Sequence, residues 1–316
     1  MEDIKSRYAA YQCLISNNFP TLNAAEGIFG PNSMHWKIYA CPAVILGSYN
    51  ALLLQIIHPA VAEGVSRFSK FNTDYLGRAE RTITGMIKIY FGDVRTALAS
   101  AAKLHHIHNR IRGTITVQKD NKEFQTNYCA SDPQHLLWVQ ATLVQTSLIA
   151  YEKINGRLSA EEKNLFYEES KKVALLMGIP LSAYPRDYLS FLKYYKSMIA
   201  GDFLRVDATT HSLAKAIFKP PYFPAYFAKL LAAGFLPTHY RKAFKLKYGK
   251  QSRVIFNAII AMSKFITKVI PHPFGYTPPY YQAHYRIANQ EGIKPKRVDQ
   301  FFNYLCGFKF FKAISL

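Results

Sequence analysis

Along most of the chain apolar residues return every three or four positions, the period of helices with one buried face, and long alternating runs are rare. That pattern predicts an all-α protein. Helices are expected at 48–66, 78–91, 94–112, 133–154, 160–177, 188–200, 208–218, 223–233 and 251–270. Several boundaries carry their own signals. Asp132 precedes Pro133, an N-cap followed by a residue whose missing N–H is harmless at the first helical position. Ser159 with Glu162 forms a capping-box pattern, and Gly178 with Pro180 closes the helix it opens. Gly92 and Asp93 leave so short a turn that the helices on either side should pack antiparallel. The segment 113–128, GTITVQKDNKEFQTNY, is polar and partly alternating, which predicts a loop or short hairpin. Residues 271–282, PHPFGYTPPYYQ, read as a proline-rich connector.

One stretch, IYACPAVILGSYNALLLQII at 38–57, is uncharged for twenty residues and so long enough to cross a bilayer. Pro42, Gly47, Ser48, Asn50 and Gln55 interrupt it, and a buried core helix is the expectation. The first fourteen residues contain acids and no apolar run, unlike a secretory signal. Four cysteines, at 13, 41, 129 and 306, form no CxxC pair and point to a reducing compartment. A cytoplasmic location is therefore expected.

With 316 residues the chain has room for one large core or two ordinary domains. The expected division is a helical domain at 1–250 and a basic, aromatic-rich extension at 251–316. Forty Lys and Arg against twenty Asp and Glu give a formal charge of +20. From Arg241 to the end, fourteen basic residues face only Glu291 and Asp299, a net of +12. No zinc-finger spacing, RNP-like strand or basic heptad accompanies this charge, which argues against sequence-specific nucleic-acid binding. A basic tail interleaved with aromatics, FFNYLCGFKFFK, suits peripheral contact with an anionic membrane. A soluble basic protein is the competing reading.

The densest chemistry lies at 93–113, DVRTALASAAKLHHIHNRIRG. On a helix, His105, His108 and Arg112 share one face while His106 points elsewhere. One face then offers a neutral nitrogen ligand and a permanent cation, a pairing that suits an iron porphyrin with its carboxylate substituents. A hydrogen-bonded or solvated surface turn is the alternative. Upstream, Gln55, His58, Glu63 and Arg67 are polar positions in an otherwise apolar helix, and the His58 imidazole, half-buried and followed by Pro59, needs a partner. Asp74 precedes Arg78 by four residues, and Arg78 precedes Thr82 by four, with Arg81 alongside. A cation and a hydroxyl on one face could flank a bound diatomic molecule or hold an interhelical salt bridge.

These pieces occur in a recognisable order. Gln55, His58, Pro59, Val61, Ala62, Gly64 and Val65 are followed by Asp74, Arg78, Arg81 and Thr82, then by Phe91 and Gly92. His108, Ile111 and Gly113 come next, and then Tyr128, Ala130, Asp132, Pro133, Leu136, Leu137, Trp138, Val139, Ala141, Thr142, Leu143 and Val144. In this order and spacing the chain resembles, over roughly residues 30 to 250, the catalytic domain shared by bacterial rubber oxygenases (latex clearing proteins) and the fungal ER-bound oxygenase of mycophenolic acid biosynthesis.

The resemblance implies a single globin-like helical bundle enclosing a pocket for heme b. His108 falls on the proximal iron ligand, Arg78 and Thr82 on the distal arginine and threonine, and Arg112 on a basic position one turn beyond the ligand. Arg112, His105 and His58 join His108 as candidate cofactor contacts; Arg78, Arg81 and Thr82 are the candidate catalytic residues. Two departures stand out. Rubber oxygenases carry a lysine before the threonine that closes over the iron as a sixth ligand, whereas this chain has Arg81, whose guanidinium has no free lone pair. The family's His-Ser after the Gly-Val is Phe68-Ser69 here. Glu63 lies in the region of the glutamate proposed as a base in the rubber enzymes, and a salt-bridged carboxylate is the other reading of it. The activity implied is oxidation of a hydrophobic, lipid-like or isoprenoid substrate by dioxygen. Alternatives are a non-catalytic heme-binding or sensing protein and a cofactor-free peripheral membrane protein.

Overall fold

The computed structural model describes residues 4–20, 22–69, 74–119, 122–219, 225–271 and 274–306. The described chain is all-α but for one hairpin. In order come α1 (Ile4–Asn18), α2 (Met34–Tyr39), a 3-10 turn (Pro42–Gly47), α3 (Ser48–Ile56), α4 (Pro59–Phe68), α5 (Tyr75–Phe91) and α6 (Val94–Arg110). The hairpin follows as β1 (Arg112–Lys119) and β2 (Lys122–Cys129). Then come α7 (Pro133–Asn155), α8 (Ala160–Leu176), α9 (Tyr188–Ala200), α10 (Ala208–Ile217), α11 (Ala225–Phe235) and α12 (Thr238–Ala243). The chain continues through α13 (Lys250–Val269), α14 (Pro278–Gln290) and α15 (Arg297–Cys306).

The hub is α7, buried along most of its length because apolar and small residues occupy nearly every face. Its polar residues find partners inside the bundle. Asn50 Nδ2 donates to Thr146 Oγ1 at 3.0 Å and Gln55 Nε2 to Thr142 Oγ1 at 3.2 Å, fixing α3 along α7. Trp138 is fully buried and donates to Leu54 O at 2.8 Å. The antiparallel pair predicted around Gly92 and Asp93 is present as α5 and α6, with Asp93 accepting from Thr96 N and Ser100 Oγ donating to Gly85 O.

Three expectations need correction. The helix expected at 48–66 is two helices, α3 and α4, bent by 96°. Pro59 is the reason: it has no N–H for a continuing helix, so His58 leaves helical geometry and becomes the N-cap of α4. The apolar run at 38–57 is likewise broken into α2, the 3-10 turn and α3, and it is mostly buried, with Ile45 in the 3-10 turn 70% exposed. No single described helix is long and apolar enough to cross a membrane, although the bent pair passes that test by length and composition.

Thirdly, the helix expected to reach 112 ends at Arg110, and Arg112 lies on β1 opposite Cys129. The alternating Thr114, Ile115, Thr116, Val117 pairs with β2 instead, and this sets Ile115 into a small cluster with Ala60 and Tyr128. In the C-terminal quarter, α14 starts inside the proline-rich connector, since Pro278 and Pro279 sit where a first turn tolerates them. It packs Ala283 and Ile287 into the main core, while Arg286 reaches the carbonyls of Ala25 and Phe91. Part of the basic tail, residues 307–316, lies outside the described residues.

Candidate functional site

The last turn of α6 is held by the hairpin that follows it. Ile111 N donates to His108 O, Ala130 N to Ile111 O, and Ser131 Oγ to Asn109 Oδ1 at 2.5 Å. His108 is thereby fixed on a turn braced from both sides. It is half-buried, and its enclosed Nδ1 has no hydrogen-bond partner among the described residues. Burial, then His105 and Arg78, push its pKa down to about 4, so the ring is neutral and its lone pair free at ordinary pH.

Arg78 stands in the first turn of α5 and is half-buried. Its charge bears on both His108 and Tyr128, so these three side chains share one neighbourhood. Tyr128, at the end of β2, is buried, with its pKa raised to about 12 mainly by desolvation. Its ring lies directly on α4 at Gly64, where a Cβ would come within 2.1 Å of the Tyr128 ring. It stacks on Phe68 at 5.8 Å and on His135 at 5.5 Å. Phe68, one of the two departures from the family pattern, thus acts as packing for Tyr128 and for Gly113. His58 meets His135 edge to face at 5.3 Å and Phe203 at 5.0 Å. Its Nδ1 accepts from Val61 N, the partner that the sequence demanded, and burial drives its pKa to about 3.

The other candidates are placed differently. His105 is buried against Tyr11, ring centroids 6.0 Å apart, and against Gly178, whose left-handed φ of +88° and missing Cβ leave space for the imidazole. Arg112 is exposed on β1 and donates to Asn109 O at 2.6 Å, so it does not share a helix face with His105 and His108. Arg81 is exposed and paired with Asp74 at 2.8 Å, and Asp74 also caps α5 by accepting from Gly77 N. Thr82 is exposed, its hydroxyl donating to Arg78 O. Glu63 has both oxygens engaged: Thr209 Oγ1 donates to one at 2.7 Å and Arg67 Nε to the other at 3.2 Å. Arg67 also reaches Thr114 O and Thr116 Oγ1, tying α4 to the hairpin.

Tyr128 and His135 were not assigned a role from sequence. The available signal was their position, just before and just after the Asp132 cap that anchors α7. A cavity of about 420 Å³ opens at the C-terminal end of α9, lined by Ile199, Asp202, Leu204, His239 and Tyr240 among others. It contains none of the sequence candidates, and His239 and Tyr240 both direct their polar atoms at Ile199 O.

Residues 36–265 match the family described as the ER-bound oxygenase mpaB/B'/rubber oxygenase catalytic domain. The chain belongs to that family. It is an oxidoreductase built on an oxygenase catalytic domain. Two curated relatives are similar to it, an uncharacterized protein of Mycobacterium bovis and one of Mycobacterium tuberculosis. Each is 22% identical over 173 residues, a match spanning 51% of this chain and 67% of the relative. The family assignment agrees with the resemblance drawn from the ordered motifs.

Among the described residues no three His, Cys, Asp or Glu side chains converge as a metal cage. A macrocycle that brings four nitrogens of its own would ask the protein for one imidazole. His108, neutral and with a buried ring nitrogen unpartnered among the described residues, could supply it.

Proposed function

We propose that the protein is a heme b-dependent oxygenase that uses dioxygen to oxidise a hydrophobic substrate, with an isoprenoid chain as the substrate class. The observation that carries this reading is His108: a braced, neutral imidazole with an unpartnered buried nitrogen, beside the guanidinium of Arg78. His108 would hold the iron, and bound heme would supply a redox centre for dioxygen chemistry.

The chain's own residues have separable tasks. Arg78 presents a fixed positive charge and hydrogen-bond donors in a half-buried setting, where they stabilise negative charge more strongly than in water. Thr82 lies one turn along the same helix and offers a hydroxyl that donates to the Arg78 carbonyl. Phe68, Tyr128 and His135 stack together, with Phe203 beyond His58, and the partly exposed Phe68 and Phe203 supply apolar surface that a hydrocarbon could contact. Tyr128, its phenol held protonated by burial, is a hydrogen-bond donor near Arg78 and holds its proton at neutral pH. Arg81 cannot act as the amine ligand known in rubber oxygenases, so gating by an internal sixth ligand from that position is not part of the proposal.

The test is an absorption spectrum of the purified protein before and after dithionite, followed by oxygen-uptake measurements with a short polyisoprenoid. A Soret band that shifts on reduction, with substrate-dependent uptake, supports the reading. A band without substrate-dependent uptake would leave a heme protein without this activity, and a colourless protein after heme supplementation would overturn the cofactor assignment.

A further inference from the structure

Helix α13 is amphipathic in an unusual sense, because it has two apolar faces. Phe256 and Ile260 are buried, pinned to α7 and α11 through a small core with Leu230, Leu231 and Ile154. On the opposite side, Val254 (68% exposed), Met262 (59%), Phe265 (65%) and Val269 (60%) form a stripe at helical spacing that touches water. Lys250, Arg253, Lys264 and Lys268 are all exposed, and the helical period places them along one flank of that stripe. The helix has no acidic residue.

A second helix repeats the arrangement. In α15 Asp299 and Asn303 are buried and Phe302 stacks on Tyr281, while Phe301, Tyr304 (88% exposed) and Leu305 face out beside the exposed Arg297 and Gln300. Phe274, just beyond α13, lies 6.5 Å from Phe302 of α15, so the end of one helix adjoins the other. The charge of the region is one-sided over a long distance. Between Asp207 and Glu291 the sequence contains twelve Lys and Arg and no Asp or Glu.

We propose that the outer faces of α13 and α15 dock on an anionic lipid bilayer. Val254, Met262, Phe265 and Val269 enter the acyl boundary, and Lys264 and Lys268 meet lipid headgroups at its edge. An apolar stripe flanked by cations, without an acid to repel anionic lipid, has the chemistry of an interfacial helix lying in the membrane plane. A protein partner would need acidic groups in register with four basic side chains, whereas a bilayer provides negative charge everywhere along the helix. The inference is independent of the heme assignment.

Flotation of the full-length protein on phosphatidylcholine vesicles, with and without phosphatidylserine, tests it. The protein should float with the phosphatidylserine vesicles, and salt should release it. Phe265→Asp combined with Met262→Asp, at positions that carry no core packing, should lower partition at least about tenfold while leaving the thermal midpoint in place. Lys264→Glu and Lys268→Glu should each lower binding about fivefold, and only to the anionic vesicles. Failure of the wild type to float on anionic vesicles would overturn the proposal, as would unchanged flotation of the double Asp variant. If that variant instead turned a dimer into a monomer in sedimentation, with vesicle binding unaffected, the face would be an interface between two copies and the proposal would fall.

Discussion

His35 and His108 are among the histidines whose buried ring nitrogens lack hydrogen-bond partners within the described residues, and burial lowers the pKa of both. Their surroundings differ in what else can reach them. His35 is 1% exposed and sandwiched between Phe29 at 4.0 Å and Phe166 at 4.9 Å, with Tyr39 and Tyr90 closing the sides. Its nearest carboxylate, Glu169, already accepts the N–H groups of Met34 and His35. That imidazole is a packed plate in an aromatic box. His108 is half-buried on a braced turn, with a second imidazole and a guanidinium nearby. A depressed pKa therefore does not by itself distinguish structure from chemistry; access and charged neighbours do.

If the two sites are as different as this, substitutions should separate them. Arg78→Ala should keep heme and lower turnover by about 100-fold, since it removes charge stabilisation without touching the ligand. Steady-state kinetics beside the absorption spectrum would read both. His35→Ala should keep heme and turnover but empty the aromatic box, at a cost of about 3 kcal/mol and a fall in Tm on the order of 10 °C. A His35→Ala protein that is thermally unchanged but colourless would invert the comparison.

Acid should act on the His108 side through linkage. His58 and His108 titrate near 3 and 4 when folded against 6.5 as free imidazoles, so the unfolded chain binds more protons between those values. Stability is then full above about pH 6.5 and declines as pH falls toward 4. Urea midpoints across that range should fall, and the slope should flatten in His58→Gln. The smallest effect is expected at Glu63. Because both its oxygens are engaged, Glu63→Gln should cost about 1 kcal/mol with turnover largely kept. A loss of roughly 100-fold or more would instead assign it the work of a general base.

Much of this was legible in the residues. The helical period, the Asp132 and Ser159 caps and the Gly92-Asp93 turn located the central helices to within a residue or two. His108 was singled out by the ordered motifs and by the helix-face argument, whose Arg112 lies on β1 instead, and its role as a ligand is the proposal made above. What the period could not show was which signal wins where two compete. Pro59 outweighs a continuous apolar run, and strand pairing outweighs the helix-like spacing of Arg112. Nor could it show three-dimensional neighbours. Tyr128 meets Gly64 and His135 only because the hairpin folds back over α4, and His35 finds Phe29 and Phe166 across three separate segments. Arg81 and Thr82 match the family order, yet their side chains are exposed and engaged locally, which spacing alone does not reveal.

The central claim is that His108 holds the cofactor, and heme occupancy in His108→Ala measured beside His106→Ala tests it most directly. The adjacent substitution controls for damage to the helix end. The account predicts that the Soret band disappears in His108→Ala, with the fold retained by circular dichroism, and persists in His106→Ala. Full heme occupancy in the His108→Ala protein would contradict it.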